Sequence, residues 1–391
     1  MNKILLSSCI LFTLLFYSCK KEKNSDSSES AVKRTFKGNI DLDHLQNYAN
    51  QSHPTYITKS NVGSNAITDK GATLGRVLFY DKNLSINNKT SCSSCHIQNL
   101  AFGDTALASR GANGLTGRHS MRLINAGFSQ EVKFFWNERA ENLEKQTTFP
   151  IQDHNEMGYS GKNGDPSIND LILKLSTIDY YQELFQFVYG SNEITETRIQ
   201  NALAQFIRSI QSFDSKYDIG RTAAGNDNVP FTNFTQQENM GKNLFLAPPV
   251  FNASSERTGG GLGCQGCHRA PEFDIDPNSG NNGIIGSIAG GFDLDNTKAP
   301  TIRDIVRSDG TINGPLMHTG VINDLQTLIG HYGNITAGPN NTKLDPRLTP
   351  NGIGQKLNLT APEVNAIIAF LKTLSGTSVY TDVKWSNPFP N

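Results

Sequence analysis

Cys92-Ser93-Ser94-Cys95-His96 sets two thiols three positions apart, with an imidazole directly after the second. The spacing suits covalent attachment of a c-type haem. The thiols add to two vinyl groups as thioethers, and the histidine nitrogen reaches the iron. A redox dithiol or half of a zinc site would use the same spacing. The pattern recurs at Cys264-Gln265-Gly266-Cys267-His268. The repeat favours two covalently bound c-type haems, with Cys92, Cys95, Cys264 and Cys267 as attachment points and His96 and His268 as iron ligands.

The bulk numbers agree with that reading. A chain of 391 residues favours two domains. A net charge of -1 gives no basic excess for nucleic acid. Its 35 glycines and polar composition predict large loops around a helical scaffold. There are six cysteines, and four lie in the two motifs. The others, Cys9 and Cys19, fall near the N-terminus, so no structural disulfide is expected.

Lys3 precedes an apolar run from Ile4 to Tyr17 that is too short to span a membrane comfortably. It predicts a signal peptide over residues 1–18 of the lipoprotein type, with Cys19 as the lipid-bearing residue. A polar linker follows over 19–40. An ordinary signal peptide or an uncleaved anchor would share the run. The expected location is the periplasm or cell envelope, with the lipid as the only membrane contact.

The chain also repeats itself. Leu74-Gly75-Arg76-Val77-Leu78-Phe79 precedes the first motif, and Met240-Gly241-Lys242-Asn243-Leu244-Phe245 precedes the second. Ala202-Leu203-Ala204-Gln205-Phe206 and Ala366-Ile367-Ile368-Ala369-Phe370 read as amphipathic closing helices. Thr360 with Glu363 predicts the start of the second, and Gly376 its C-cap. The fold class expected is mainly α: two cytochrome c-like domains, 41–222 and 223–391, each with one covalently attached haem. The join is expected near Gly220 to Pro230, where Gly, Asn, Asp and Pro cluster.

A third stretch carries chemistry. It runs Phe134-Phe135-Trp136-Asn137-Glu138-Arg139-Ala140, then Leu143, Gln146, Pro150 and Glu156-Met157-Gly158. Together with Leu78-Phe79-Tyr80-Asp81 and both motifs, it resembles the bacterial dihaem cytochrome c peroxidase family, which includes MauG-type enzymes. On the residues alone, Glu156 could be a solvated carboxylate and Trp136 a core residue.

The resemblance implies more. The first haem would be the peroxide-reactive one. Glu156 falls on the distal carboxylate, which takes a proton from peroxide and returns it to the departing oxygen. Gln146 and Pro150 would shape that pocket, and Trp136 would lie between the haems. His268 would serve the electron-transfer haem. Its sixth ligand falls on Tyr332, as in the MauG-type branch, where many members have methionine. Met317 and His331 are the competing ligands. The loop Ser109 to Gly114 lacks the histidine that blocks the first iron in many members. His119 replaces an asparagine that helps bind Ca2+ in relatives, which puts that ion in doubt, although Asn313 and Pro315 lie where carbonyls are supplied. Arg118 and Arg139 would pair with haem propionates or form ordinary salt bridges.

The function so implied is reduction of hydrogen peroxide to water. Electrons from a small redox protein, a cytochrome c or cupredoxin, enter at the C-terminal haem and are used at the N-terminal one. The alternatives are a MauG-like oxidant of a protein or organic substrate, and a non-enzymatic dihaem electron carrier. The resemblance also implies a homodimer.

Overall fold

The computed structural model describes residues 29–130, 132–274 and 279–390. The expected signal peptide and Cys19 lie outside the described residues. Among those described, no helix is long and apolar enough to cross a membrane.

The helices in chain order are α1 (Ala31–Phe36), α2 (Asp69–Tyr80), α3 (Leu143–Thr148), α4 (Ile168–Ser176) and α5 (Asp179–Tyr189). They continue with α6 (Glu196–Ser209), α7 (Lys216–Ala224), α8 (Gln236–Leu246), α9 (Leu325–Gly333) and α10 (Ala361–Lys372). One antiparallel hairpin, β1 (Pro249–Phe251) with β2 (Arg257–Gly260), is the sheet present among the described residues. Side chains close the helix starts. The Thr68 hydroxyl accepts from Gly71 N ahead of α2, and Thr235 with Glu238 forms a capping box ahead of α8. Thr360 and Glu363 form the expected box ahead of α10. Its end differs from expectation. α10 stops at Lys372 with Thr373 as cap, and Gly376 lies beyond. There Gly376 N donates to the buried Asp304 Oδ1 at 2.8 Å.

The repeated sequences make the same helix crossing twice. α2 packs on α6 through Gly75, where a Cβ would lie 2.7 Å from the carbonyl carbon of Ala202 and 2.7 Å from Phe206 Cβ. α8 packs on α10 through Gly241, at 2.5 Å from the carbonyl carbon of Ala366 and 2.8 Å from Phe370 Cβ. Only glycine lets the backbones approach so closely.

Each crossing anchors its own hydrophobic cluster. The first gathers Leu74, Leu78, Phe79, Leu203, Phe206 and Ile210. The second gathers Phe245, Phe273, Ile367, Phe370 and Leu371, and it already includes Tyr217. The change of cluster therefore falls between Ile210 and Tyr217, and a division at 222/223 would cut α7. The chain also returns. Val379 and Trp385 join the first cluster. Tyr80 Oη donates to Trp385 O at 2.7 Å and Arg76 Nε to Ser386 O at 2.7 Å.

Arg303 ties α7 to the loop before α9. It is 0% exposed and donates to both Asp218 oxygens at 2.9 Å. Asp218→Asn would leave that guanidinium without a counter-charge. It is expected to cost about 3–5 kcal/mol, read from denaturant unfolding of the intact protein.

Candidate active site

Each Cys-x-x-Cys-His stretch forms a short 3₁₀ turn, Cys92–Ser94 and Cys264–Gly266, closed by His96 N on Cys92 O and His268 N on Cys264 O, both at 3.0 Å. The turns bring both thiols and the imidazole onto one cavity wall. Burial pushes Cys92 and Cys264 up to about 12, and Cys95 and Cys267 up to about 11. Such thiols hold little thiolate at physiological pH, which argues against a redox dithiol. Among the described residues, no three His, Cys, Asp or Glu side chains converge as metal ligands, which leaves a zinc site without partners.

The imidazoles are oriented for a ligand. His96 Nδ1 lies 3.1 Å from Phe102 O, and His268 Nδ1 lies 3.1 Å from Pro300 O. A proton held on each Nδ1 leaves Nε2 free for iron. The cavities around them are largely apolar: Phe79, Leu123, Leu203 and Ile207 on the first, Phe245, Leu262, Leu328 and Leu371 on the second. Thiols for attachment, an oriented imidazole and apolar walls all fit a c-type haem in each cavity.

The first cavity gathers the residues of the 134–158 stretch. Gln146, Pro150 and Glu156 line it together with Cys92, Cys95 and His96. Gln146 comes from α3, started by the Asn142 side chain. Glu156 sits on a turn where Asp153 Oδ1 accepts from Glu156 N at 3.1 Å. The histidine-free loop is pressed onto that turn: Ala112 N donates to Glu156 O at 2.7 Å, and a Cβ on Gly111 would lie 2.6 Å from Glu156 Cα. Burial, helped by the neighbouring charge of Asp153 and opposed by Arg139, raises the Glu156 carboxyl to about 7.

A chamber beside the first cavity shares His96, Gln146, Pro150 and Glu156 with it, and Trp136 lines both this chamber and the second cavity. Its indole N–H donates to His119 O at 2.7 Å, and its own carbonyl accepts from Lys298 N at 2.7 Å. Both partners also line this chamber and the second cavity, so the indole is fixed within a shared wall.

In the second cavity, Tyr332 and Met317 both line the wall. Asn282 Nδ2 lies 3.4 Å from Met317 Sδ as a donor. Burial, with the thiol of Cys267 adding to it, pushes the Tyr332 hydroxyl above its ordinary value. His331 is turned elsewhere, with Nε2 2.9 Å from Asn282 O.

Other expected partners are engaged within the protein. Arg118 bridges Asp293 at 2.7 Å and Asp295 at 2.9 Å, while Arg139 stacks 3.6 Å above the Phe135 ring. Asn313 Oδ1 accepts from Arg307 Nε at 2.9 Å, and His119 Nδ1 lies 2.9 Å from Ala106 O. His318, in the His-x-Gly step Pro315-Leu316-Met317-His318-Thr319-Gly320 from which Tyr332 is counted, is 2% exposed and stands 6.3 Å from the Trp136 ring with neither ring nitrogen hydrogen-bonded. One residue went unread in the sequence: Arg122, which lines the His268 cavity and the chamber beside His96. It falls in no motif, and its surroundings come from distant parts of the chain.

Residues 69–227 match the model of the di-haem cytochrome c peroxidases. The chain is 27% identical to methylamine utilization protein MauG of Methylophilus methylotrophus, over 80% of this chain and 84% of that one. It is also 27% identical to cytochrome c551 peroxidase of Nitrosomonas europaea, over 78% of this chain and 80% of that one. The crystal structure of a MauG-like protein associated with microbial copper homeostasis superposes with a TM-score of 0.64 at 27% identity, covering 87% of this chain and 99% of that one.

Proposed function

We propose that this chain, which belongs to the di-haem cytochrome c peroxidase family, reduces hydrogen peroxide beside His96 with electrons received beside His268. The observation that carries the reading is Glu156, a carboxyl near neutrality in the cavity of His96. Haem held at the two turns supplies the redox chemistry. Glu156 takes a proton from peroxide and delivers it to the departing oxygen. Gln146 and Pro150 limit the space around the substrate. Trp136 gives the chamber beside His96 and the second cavity a common aromatic wall for the electron to cross. The donor is a small redox protein, a cytochrome c or cupredoxin. The protein is exported to the periplasm, and Cys19 carries a lipid. The halves act as two domains that divide before α7.

A second reading is a MauG-like oxidant of a protein or organic substrate, and Tyr332 favours it. A phenolate ligand suits ferric iron better than a thioether does. The two readings part in one experiment. A peroxidase that needs electrons loaded first reacts with peroxide only after partial reduction. A MauG-like oxidant reacts in the fully ferric state. Absence of any reaction in either state would sink both.

The ligand has its own test. Tyr332→Phe is expected to change the near-infrared charge-transfer and electron paramagnetic resonance signature of the second haem. Met317→Leu is expected to leave it unchanged. The reverse pattern would make Met317 the ligand.

A further inference from the structure

Arg122 is a half-buried cation whose Nε is fully buried, with almost nothing to bind. Its stem lies against Gly103, where a Cβ would be 2.9 Å from Arg122 Cγ. Gly103 directly follows Phe102, whose carbonyl holds His96. The guanidinium has one hydrogen bond, Nη2 to Thr301 O at 3.4 Å, and its Nε is buried without a partner. Among the described residues it forms no ion pair, whereas Arg118, Arg208 and Arg303 each hold a carboxylate. Burial lowers its pKa, opposed by the charges of Asp304 and Tyr380.

A buried guanidinium without an anion is costly. Five planar N–H donors match a carboxylate best. Arg122 lines the cavity of His268 and the chamber beside the first cavity that His96, Trp136 and Glu156 also line. The one carboxylate source each cavity would gain is the haem itself, through its propionates. We propose that Arg122 binds a haem propionate at the wall between the cavities and sets the reduction potential of both irons. This rests on the two-haem reading above. Arg122 is a positioning residue here, because it acts through the cofactor rather than on peroxide. Arg118 and Arg139 are spent on aspartates and on an aromatic ring, so Arg122 takes the role that the sequence suggested for them.

The test uses full-length holoprotein, wild type beside Arg122→Gln and Arg122→Lys. Haem is first counted by the pyridine haemochrome assay. Fewer than two per wild-type chain would defeat the two-haem reading itself. Reduction potentials then follow from a spectroelectrochemical titration. Ferric haem carries one more positive charge than ferrous haem, so loss of a nearby cation favours the ferric form. Arg122→Gln is expected to lower both midpoints, and Arg122→Lys to restore most of the shift. Redox-difference infrared spectra should show the propionate carboxylate bands moving in the glutamine variant. Two haems with unchanged midpoints and unchanged bands would overturn the proposal, even if the variant melted earlier. A shift confined to one haem would overturn the shared control. Should the glutamine variant fail to load haem, wild type and Arg122→Lys still decide, because exchanging the guanidinium for an ammonium must move the carboxylate bands.

Discussion

Glu156→Gln is expected to lower peroxide turnover by about 10²–10⁴-fold, the usual worth of a positioned acid–base group, with both haem spectra left as in wild type. The amide keeps the shape of the side chain but can neither accept nor return the proton. The carboxyl is placed to do both. It shares the cavity of His96, and its pKa of about 7 lets it change protonation state at physiological pH. The proposed proton transfer requires Glu156 to start ionised, so wild-type kcat/KM is expected to rise with pH through about 7 and level off above it. In Glu156→Gln the small residual rate should be flat over that range. A variant retaining full turnover would remove Glu156 from the mechanism.

The same residue bears on stability, with a definite sign. The folded carboxyl titrates near 7, against a model value of 4.5. The folded state therefore holds the proton more tightly than the unfolded chain. Its contribution is fully present below about 4.5 and is lost as pH rises through about 7. Glu156→Gln removes that loss, so its melting temperature relative to wild type should climb across this window. A carboxyl held near 7 in the folded state thus costs stability at neutral pH.

How much was legible in the sequence depended on the distance over which each signal acts. The Cys92 and Cys264 turns are local, and their spacing alone placed thiols and imidazole on one wall. The paired Gly75 and Gly241 segments were legible because the repeat itself was visible. The function of the glycines was not, since it depends on Ala202 and Ala366, over a hundred residues away in each case. Trp385 shows the same limit. It lies in a proline-containing tail with no periodic pattern, yet it is 2% exposed and lies beside Ser209, Nε1 to Oγ at 3.3 Å. Nothing near Trp385 in sequence announces that partner. The Gly, Asn, Asp and Pro residues that suggested a join near 220–230 span the end of α7 and the loop after it, with Gly225 left-handed at φ 75°, whereas the change of hydrophobic cluster falls between Ile210 and Tyr217.

Gly241→Ala is expected to cost about 3 kcal/mol or more, placing it among severe single substitutions. Two effects oppose each other. Alanine in a helix interior is better than glycine by about 1 kcal/mol. Against that, the new Cβ would stand 2.5 Å from the carbonyl carbon of Ala366 and 2.8 Å from Phe370 Cβ. Neither neighbour is the free end of a flexible side chain. One is helix backbone, and Phe370 is fully buried among Tyr217, Phe245 and Phe273. The helices must separate, which opens the cluster behind the His268 cavity. Propensity therefore loses. Gly75→Ala poses the same problem on α6, with Ala202 and Phe206 in the corresponding places. If the two clusters are separate folding units, calorimetry of the holoprotein should show two transitions. Gly241→Ala should lower only the one that releases the environment of the His268 haem, and Gly75→Ala only the other. Both variants lowering one common transition would instead mean that the returning Trp385 tail and the Trp136 wall weld the halves into a single cooperative unit.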